Sequence, residues 1–202
     1  MAEEKSEKKK KTAREIIENY DGPKVRIMEV CGTHTHEIFR LGIRKLLPEQ
    51  VELISGPGCP VCVTPVSFID EAIYLALEKG VTICTFGDLV RVPGTRMSLA
   101  GAREQGAEIH VVYSPTDAEE YAREHPDRQV TFLSVGFETT TPAGCLSVKA
   151  AKTDGLENYS ILTANKTMPQ AYEVLKGSAD VFLYPGHVNA ITGTRLCEAL
   201  TE

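Results

Sequence analysis

Two cysteines at C-x-x-C spacing, Cys59 and Cys62, are the residues of this sequence best suited to chemistry. They lie in a glycine- and proline-rich stretch, GPGCPVCVTP, at residues 56–65. After a strand in a cytosolic α/β setting, this spacing is typical of a redox dithiol or of two thiolate ligands for a metal ion. The spacing alone does not separate the two, so we expect either thiol–disulfide exchange or metal binding in this loop.

The residues around this loop predict a turn from a strand into a helix. An apolar run at 51–55 precedes the loop, and apolar residues at helical spacing follow it over 66–79. Thr64 is the expected N-cap and Pro65 the expected first helical residue. Cys62 is then expected just outside a helix N-terminus, where unbonded N–H groups and the helix dipole favour a thiolate.

A second chemistry-bearing stretch, CGTHTH, occupies residues 31–36 after another predicted strand. Cys31 can supply a third sulfur, and three soft sulfurs with His34 and His36 suit zinc, iron or copper(I) by ligand type. The two histidines stand two residues apart in a predicted loop. One ligand or proton donor beside one polar scaffold residue is as consistent with the sequence as two ligands, and hydrogen bonding to other site groups is a further alternative.

Other predicted strand ends also carry candidate site residues. In GFETTTP at 136–142, Glu138 is a candidate acid or base, or a group that holds a histidine, with helix capping or a solvated position as the alternative. In PGHVNA at 185–190, His187 has the sequence context of a site residue. Two more unusual loops follow predicted strands, at 87–94 and 164–169.

These stretches are positioned by strands and helices that alternate along the chain. Apolar and β-branched runs predict strands at 24–30, 51–55, 81–86, 108–113, 129–135, 158–164 and 180–184. Helical periodicity and start signals predict helices at 12–20, 38–47, 66–79, 114–125, 145–152 and 169–176, and a last helix beginning near Thr194. Such alternation forms parallel sheets with helices on their faces, and right-handed connections bring the strand C-termini to one edge, where ligands bind.

We therefore predict an α/β protein of two Rossmann-like units, with parallel sheets flanked by helices and a cleft at the strand C-terminal ends. The expected division is a charged tail at 1–12, a first unit at 13–107 with the CGTHTH and CPVC loops, and a second unit at 108–202 with the GFETTTP and PGHV loops. Glycines punctuate weakly periodic sequence near this boundary.

Composition restricts the function. The net charge of −6 and the pI near 5.5 come without a basic stripe, which argues against a nucleic-acid partner. No apolar segment follows Met1 and no stretch approaches the ~20 apolar residues of a membrane span, so we expect a cytoplasmic protein with no membrane partner. A disulfide framework is not expected there, and Cys84, Cys145 and Cys197 are expected to be buried and inert.

Several common enzyme signatures are missing from the sequence. No G-x-x-x-x-G-K-[ST], H-E-x-x-H or G-x-S-x-G pattern occurs, and the third glycine of the dinucleotide fingerprint is absent from 56–61. Nucleotide-dependent and hydrolytic functions are therefore not favoured.

The motifs CGTHTH, GPGCPVCVTP, GFETTTP and PGHV, in this order over residues 31–188, together resemble those of the HypD family of [NiFe]-hydrogenase maturation proteins. The resemblance implies a scaffold on which an iron carrying cyanide and carbon monoxide, Fe(CN)2CO, is assembled. It implies as partners a small HypC-type chaperone and a HypE-type cyanide donor. Such a protein is a maturation scaffold with thiol redox activity rather than a conventional turnover enzyme.

The resemblance also assigns roles to residues of this sequence. It implies that Cys31 ligates the iron and that Cys59 and Cys62 undergo thiol–disulfide exchange, which suits a low-spin iron that needs thiolate donors and two electrons. The expected site comprises Cys59, Cys62, His36 and Glu138 as reactive or proton-handling residues, and Cys31, Thr33, His34, Thr139 and His187 as binding residues.

One implied cofactor does not fit the sequence. The family carries a [4Fe–4S] cluster in a C-terminal region, whereas this sequence has no four-cysteine set beyond those already assigned. We therefore expect no cluster in this polypeptide. Two other functions stay open at this point: a cytosolic thiol–disulfide oxidoreductase, and a structural zinc-binding module that holds the same sulfurs permanently.

Overall fold

A computed structural model describes residues 11–198. Over these residues the chain is an α/β protein with two parallel sheets flanked by helices, as the sequence predicts. The strands are β1 (Val25–Glu29), β2 (Val51–Ser55), β3 (Thr82–Thr85), β4 (Ile109–Val111), β5 (Val130–Ser134), β6 (Tyr159–Thr163) and β7 (Val181–Leu183). The helices are α1 (Ala13–Glu18), α2 (Gly32–Arg40), α3 (Val66–Glu78), α4 (Leu99–Glu104), α5 (Pro115–Glu124), α6 (Thr141–Thr153), α7 (Met168–Leu175), α8 (Gly186–Thr192) and α9 (Arg195–Glu198). Within 11–198 no helix is long and apolar enough to cross a membrane.

The described chain divides into two compact units. Unit 1 runs to Gly58 and includes Leu175–Pro185, and its three strands lie in the order β2-β1-β7. β1 pairs in parallel with β2 along its whole length. β7 returns from the far end of the sequence, and Asp180 accepts from the Arg26 backbone N–H at 2.7 Å and from its guanidinium at 3.2 Å. The C-terminal ends of β1 and β2 therefore lie side by side.

Unit 2 comprises Cys59–Val174 and the described residues from Gly186, with four strands in the order β4-β3-β5-β6. All residues of β3 and β5 are buried, as expected of central strands. Ile83 and Leu133 pack in a core with α3 and α4, whereas Cys84 and Phe132 pack with α5. Because side chains alternate along a strand, the sheet has helices on both faces.

This division differs from the expected one at 107/108. β3 pairs with β4 and β5, so residues 82–107 belong to the second sheet, while β7 pairs with β1. Pairing between strands far apart in sequence leaves no signal in local periodicity, which is why the boundary was misplaced. The predicted charged tail at 1–12 lies outside the described residues, except for Lys11 and Thr12, and Thr12 forms a capping box at α1.

The seven predicted strands are confirmed to within two residues at each end. Helix starts are less accurate. α2, expected to follow the 31–36 loop, begins within it at Gly32, and α6 begins at Thr141 rather than 145. α4 and α8 were not predicted. The early helix starts matter for function, because the CGTHTH, GFETTTP and PGHV motifs run into first helical turns.

Candidate functional site

Cys31 lies at the junction between β1 and α2. It is the N-cap of α2, with extended φ and ψ of −154° and 127°, and its carbonyl accepts from the Thr35 N–H at 3.1 Å. No side chain caps this helix, and its first turn contains no acidic residue. The Cys31 side chain is therefore beside unbonded N–H groups and the positive end of the helix dipole, which favour a negatively charged group.

The expected loop at 31–36 is thus the first turn of a helix. Residues on a helix advance by about 100° each, so His34 and His36 are related by a rotation of about 200° and point in directions about 160° apart. His36 is exposed, with Nδ1 3.3 Å from Glu37 Oε1. The buried Nδ1 of His34 has no hydrogen-bond partner among the described residues. The two histidines do not face one site together, and Thr33 is exposed.

Two glycines of the C-x-x-C loop lie tightly against the end of β1. A Cβ at Gly58 would stand 2.7 Å from both the N and Cα atoms of Cys31, and a Cβ at Gly56 would stand 2.7 Å from the sulfur of Met28. The Gly56 N–H also donates to the Glu29 carbonyl at 2.7 Å. Only glycine permits this approach at position 58, because the opposing atoms are backbone. The residue before Cys59 is therefore held against Cys31.

Cys59 and Cys62 lie in a turn between β2 and α3, and both are free thiols. Val61, between them, packs against the core of unit 2. The expected N-cap is wrong: Pro65 is the N-cap of α3, and the Thr64 hydroxyl donates to the Pro60 carbonyl at 2.9 Å instead. The turn is thus fixed by its own contacts rather than by the helix.

The electrostatics of the pair also differ from the expectation. The pKa of Cys62 is raised, first by its hydrogen bond with Cys59, then by the charge of Cys59 and by burial. Repulsion from a second sulfur disfavours the thiolate, and the shared hydrogen bond favours the protonated thiol. At this position the neighbouring thiol outweighs the helix N-terminus, so the predicted activation of Cys62 by the helix is not observed.

Glu138 caps a helix. Its Oε1 accepts from the Met168 N–H at the start of α7, at 2.8 Å. Its Oε2 is buried and has no hydrogen-bond partner within residues 11–198. Of the roles open to Glu138 from the sequence, capping is the one that the structure shows. The neighbouring Thr139 is exposed.

His187 is the second residue of α8 and is exposed, whereas its neighbour Val188 is 1% exposed. The PGHV motif is therefore a helix start fixed by an apolar side chain, with the imidazole on the surface.

The candidate residues fall into two sets. Cys31, Thr33, His34 and His36 belong to unit 1, and Cys59, Cys62, Glu138, Thr139 and His187 belong to unit 2. Within unit 2, α3 leads back into β3, so its N-terminus lies at the C-terminal edge of the sheet, where residues 135–140 also follow β5. The dithiol and Glu138 therefore occupy the same edge of one sheet, the edge at which parallel sheets bind ligands.

The remaining cysteines differ from the expectation of uniform burial. Cys84 is fully buried in β3, and burial raises its pKa to about 12. Cys145 is exposed on α6, and Cys197 is half-buried, 3.6 Å from Asn189 Oδ1. Their small or apolar neighbours in sequence did not reveal which face of each helix points outward.

Within 11–198, no three or more Cys, His, Asp and Glu side chains converge on a metal position.

Glu29 is a candidate that the sequence reasoning missed. It is 1% exposed at the end of β1, two residues before Cys31. Its Oε1 accepts from the Ser55 hydroxyl at 2.6 Å and lies 3.7 Å from the Arg44 guanidinium. Oε2 is buried without a partner in the described part of the chain. A carboxylate inside an apolar strand, just before a cysteine motif, is the signal that marks it.

Fold and site together define an α/β protein with a cysteine at a helix N-cap position and a C-x-x-C dithiol in the turn before another helix. A family model described as "HypD: Hydrogenase formation hypA family" matches residues 7–202. The hydrogenase maturation factor HypD of Rhodobacter capsulatus is 46% identical over 182 residues, which are 88% of this chain and 48% of that protein. The factor of the same name from Escherichia coli (strain K12) is 46% identical over 174 residues, 84% of this chain and 47% of that protein. A putative hydrogenase expression/formation protein of Methanocaldococcus jannaschii is 41% identical over 182 residues, 87% of this chain and 51% of that protein. This chain belongs to the HypD family, and it spans about half the length of these relatives.

Proposed function

We propose that this chain acts in [NiFe]-hydrogenase maturation, as a scaffold on which Fe(CN)2CO is assembled with a HypC-type chaperone and a HypE-type cyanide donor. The observation that carries the proposal is the Cys31 thiol, which is 8% exposed and stands at an uncapped helix N-terminus with the Gly58 backbone against it. A soft sulfur shielded from water suits an iron substrate with strong-field ligands. Membership of the HypD family and the names of the relatives support the assignment.

In this proposal, Cys31 gives up its proton and binds the iron through Sγ. The N–H groups of the first turn of α2 offset the negative charge that develops on the substrate's diatomic ligands and on the thiolate. The half-buried His34 offers its unpartnered Nδ1 as a hydrogen-bond donor or acceptor to the same substrate, while the exposed His36 exchanges protons with solvent.

The dithiol supplies electrons. In thiol–disulfide exchange, Cys59 and Cys62 form one S–S bond, while the disulfide that they attack is broken and takes up their two protons and two electrons as two thiols. The raised pKa of Cys62 favours the protonated form of that thiol before the exchange. Glu138 contributes by fixing the start of α7, and Thr139 and His187 offer exposed hydrogen-bonding groups to the substrate or a partner.

The decisive experiment is anaerobic co-purification with a HypC-type protein, followed by infrared spectroscopy in the cyanide and carbonyl stretching region. Bands from both ligands are expected in the wild-type complex. Cys31→Ala should abolish them, whereas Cys145→Ala, which changes an exposed cysteine on α6, should not. Loss of the bands only in Cys59→Ala or Cys62→Ala would contradict the assignment of Cys31, and wild type with stoichiometric zinc and no bands would overturn the scaffold function.

A thiol–disulfide oxidoreductase is the second candidate, favoured by the two free, hydrogen-bonded thiols and the exposure of Cys62. It is distinguished by catalytic reduction of a protein disulfide without any iron-containing partner. The zinc-module alternative has no comparable support, since no set of three ligands converges within the described residues.

A further inference from the structure

Away from the candidate site, unit 2 contains a stack of three rings at the edge of its sheet. The centroid of the His110 ring of β4 lies 4.3 Å from that of the Tyr121 ring of α5, and the centroid of the His125 ring lies 4.0 Å from the same tyrosine. His125 Nδ1 donates to the Tyr121 carbonyl at 2.8 Å. Sequence alone placed His110 in a strand and His125 at a helix end and gave neither a function.

The two sides of this stack are held very differently. On the α5 side, the Asn158 amide nitrogen lies within 2.8–3.0 Å of the carbonyl oxygens of Ala122, His125 and Arg128, which fixes the end of the helix. On the other side, β4 has three residues and pairs only with β3. His110 therefore lies on the side of the contact with fewer hydrogen-bonding restraints, on the three-residue edge strand β4.

The surroundings of His110 contain more positive than negative charge. The groups facing it are Arg103 from α4, Arg128 and His125 from the end of α5 and beyond, and Glu108 at the start of β4. Tyr121 from α5 stacks on it, and Cys84 from β3 is its strand partner. Glu108 is engaged by Arg128 at 3.6 Å, and Arg103 donates to the Ile109 carbonyl at 2.7 Å. A proton on His110 thus meets two arginines and a second imidazole against one carboxylate that is already paired.

We propose that the His110–Tyr121–His125 stack is a pH-sensitive contact that holds the edge strand β4 on unit 2, and that β4 separates from β3 and α5 when His110 takes up a proton. The tyrosine ring attracts a cation, but burial and the arginines outweigh this attraction. Separation of β4 exposes the edge of β3, a ready template for pairing with another strand. The device is independent of the iron-assembly function.

The direction of the pH effect follows from linkage. Burial is the largest cause that lowers the pKa of His110 below its usual value in the folded state; the charge of Glu108 opposes it, and the charges of His125, Arg103 and Arg128 add to the lowering. The separated strand then binds more protons than the folded one as the pH falls through the ordinary range of histidine, near ~6.5. Acid therefore favours opening. Because one proton is bound, the equilibrium constant for opening changes at most tenfold per pH unit.

Hydrogen exchange of the whole chain at pH 5.5 and 7.5, corrected for the intrinsic rate at each pH, tests the proposal. We expect protection of Ile109–Val111 to fall severalfold at pH 5.5, while Tyr159–Thr163, the opposite edge strand of the same sheet, keeps its protection. In His110→Gln the difference between the two pH values should disappear from β4.

Equal pH responses of the two edge strands in the wild type would overturn the proposal, as would an unchanged response of β4 in His110→Gln. If that variant does not fold, the wild-type comparison of the two strands still decides. NMR titration of the His110 ring gives a second decision, since an apparent pKa at or above the ordinary value contradicts the mechanism.

Discussion

The contact between Gly58 and Cys31 makes the sharpest prediction of this structure. In Gly58→Ala, the new methyl group would lie 2.7 Å from Cys31 N and Cα and 2.9 Å from Cys31 C. Separations below 3.0 Å are repulsive, and these three atoms belong to the backbone that joins β1 to α2. Because the opposing atoms are backbone, no side-chain rotation can relieve the contact, and the loop or the start of α2 must shift.

The expected cost follows from overpacking. Inserting a methyl group into a close-packed site costs about 1–3 kcal/mol, and the gain from a stiffer unfolded chain offsets about 0.4–1 kcal/mol of this. We expect Gly58→Ala to lower the free energy of unfolding by about 1–2 kcal/mol. Gly56→Ala should cost less, because Met28 and Val30 oppose it with side chains, of which the methionine is flexible.

Gly32→Ala is the matched control. It lies one residue after Cys31, in the first turn of α2, and an added Cβ there meets no atom within 4 Å. Alanine is the better helix former, so this change should be neutral or stabilising by up to about 1 kcal/mol. Both the urea unfolding curve and the rate of Cys31 alkylation should separate the variants, with faster alkylation only in Gly58→Ala. Equal stabilities and equal alkylation rates in Gly58→Ala and Gly32→Ala would refute the close approach.

Three further predictions follow from the thiols and the helix cap. Cys59→Ala should lower the pKa of Cys62, because Cys59 is the main cause of its elevation; iodoacetamide at pH 8, followed by mass spectrometry, should then modify Cys62 faster than in wild type, and slower modification contradicts the stated cause. Cys84, with its pKa raised to about 12 by burial, should stay unmodified under the same conditions until urea unfolds the chain; modification of the native protein at the rate of an exposed cysteine would show that β3 is not buried. Glu138→Ala should lower the free energy of unfolding in urea by about 1–2 kcal/mol, because the hydrogen bond from the Met168 N–H is lost. Glu138→Gln should lower it less, because the amide oxygen still accepts this bond. Equal losses in the two variants would mean that the cap does not stabilise the fold.

Strand positions were predictable because each strand is a compact apolar run. The run at 51–55 matches β2 residue for residue, and the run at 129–135 contains β5 with one residue to spare at each end. A strand buried among helices needs such a run whatever its neighbours are. The location of unusual loops after strands followed from the same signal.

Helix starts were less predictable because the motif residues are polar. The first residues of α2, GTHTH, have no apolar periodicity, so a loop was predicted over 31–36 and a helix only after it. The roles of His34 and His36 changed with it, since a helix separates their directions in a way that a loop does not. Glu138 is similar, because its capping role depends on α7, which begins thirty residues later.

By itself, the sequence determined the family motifs, the α/β class and the chemical nature of the site, because residue types and short spacings carry that information directly. Only the tertiary structure decided which sheet each strand joins, that Gly58 lies against Cys31, and that Glu29 is buried beside Ser55 and Arg44. It also decided that Cys59 raises the pKa of Cys62 rather than leaving the helix N-terminus to lower it. These outcomes depend on distances of a few ångströms between groups, and on whether the neighbouring thiol or the helix N-terminus has the stronger effect, so no pattern along the chain contains them.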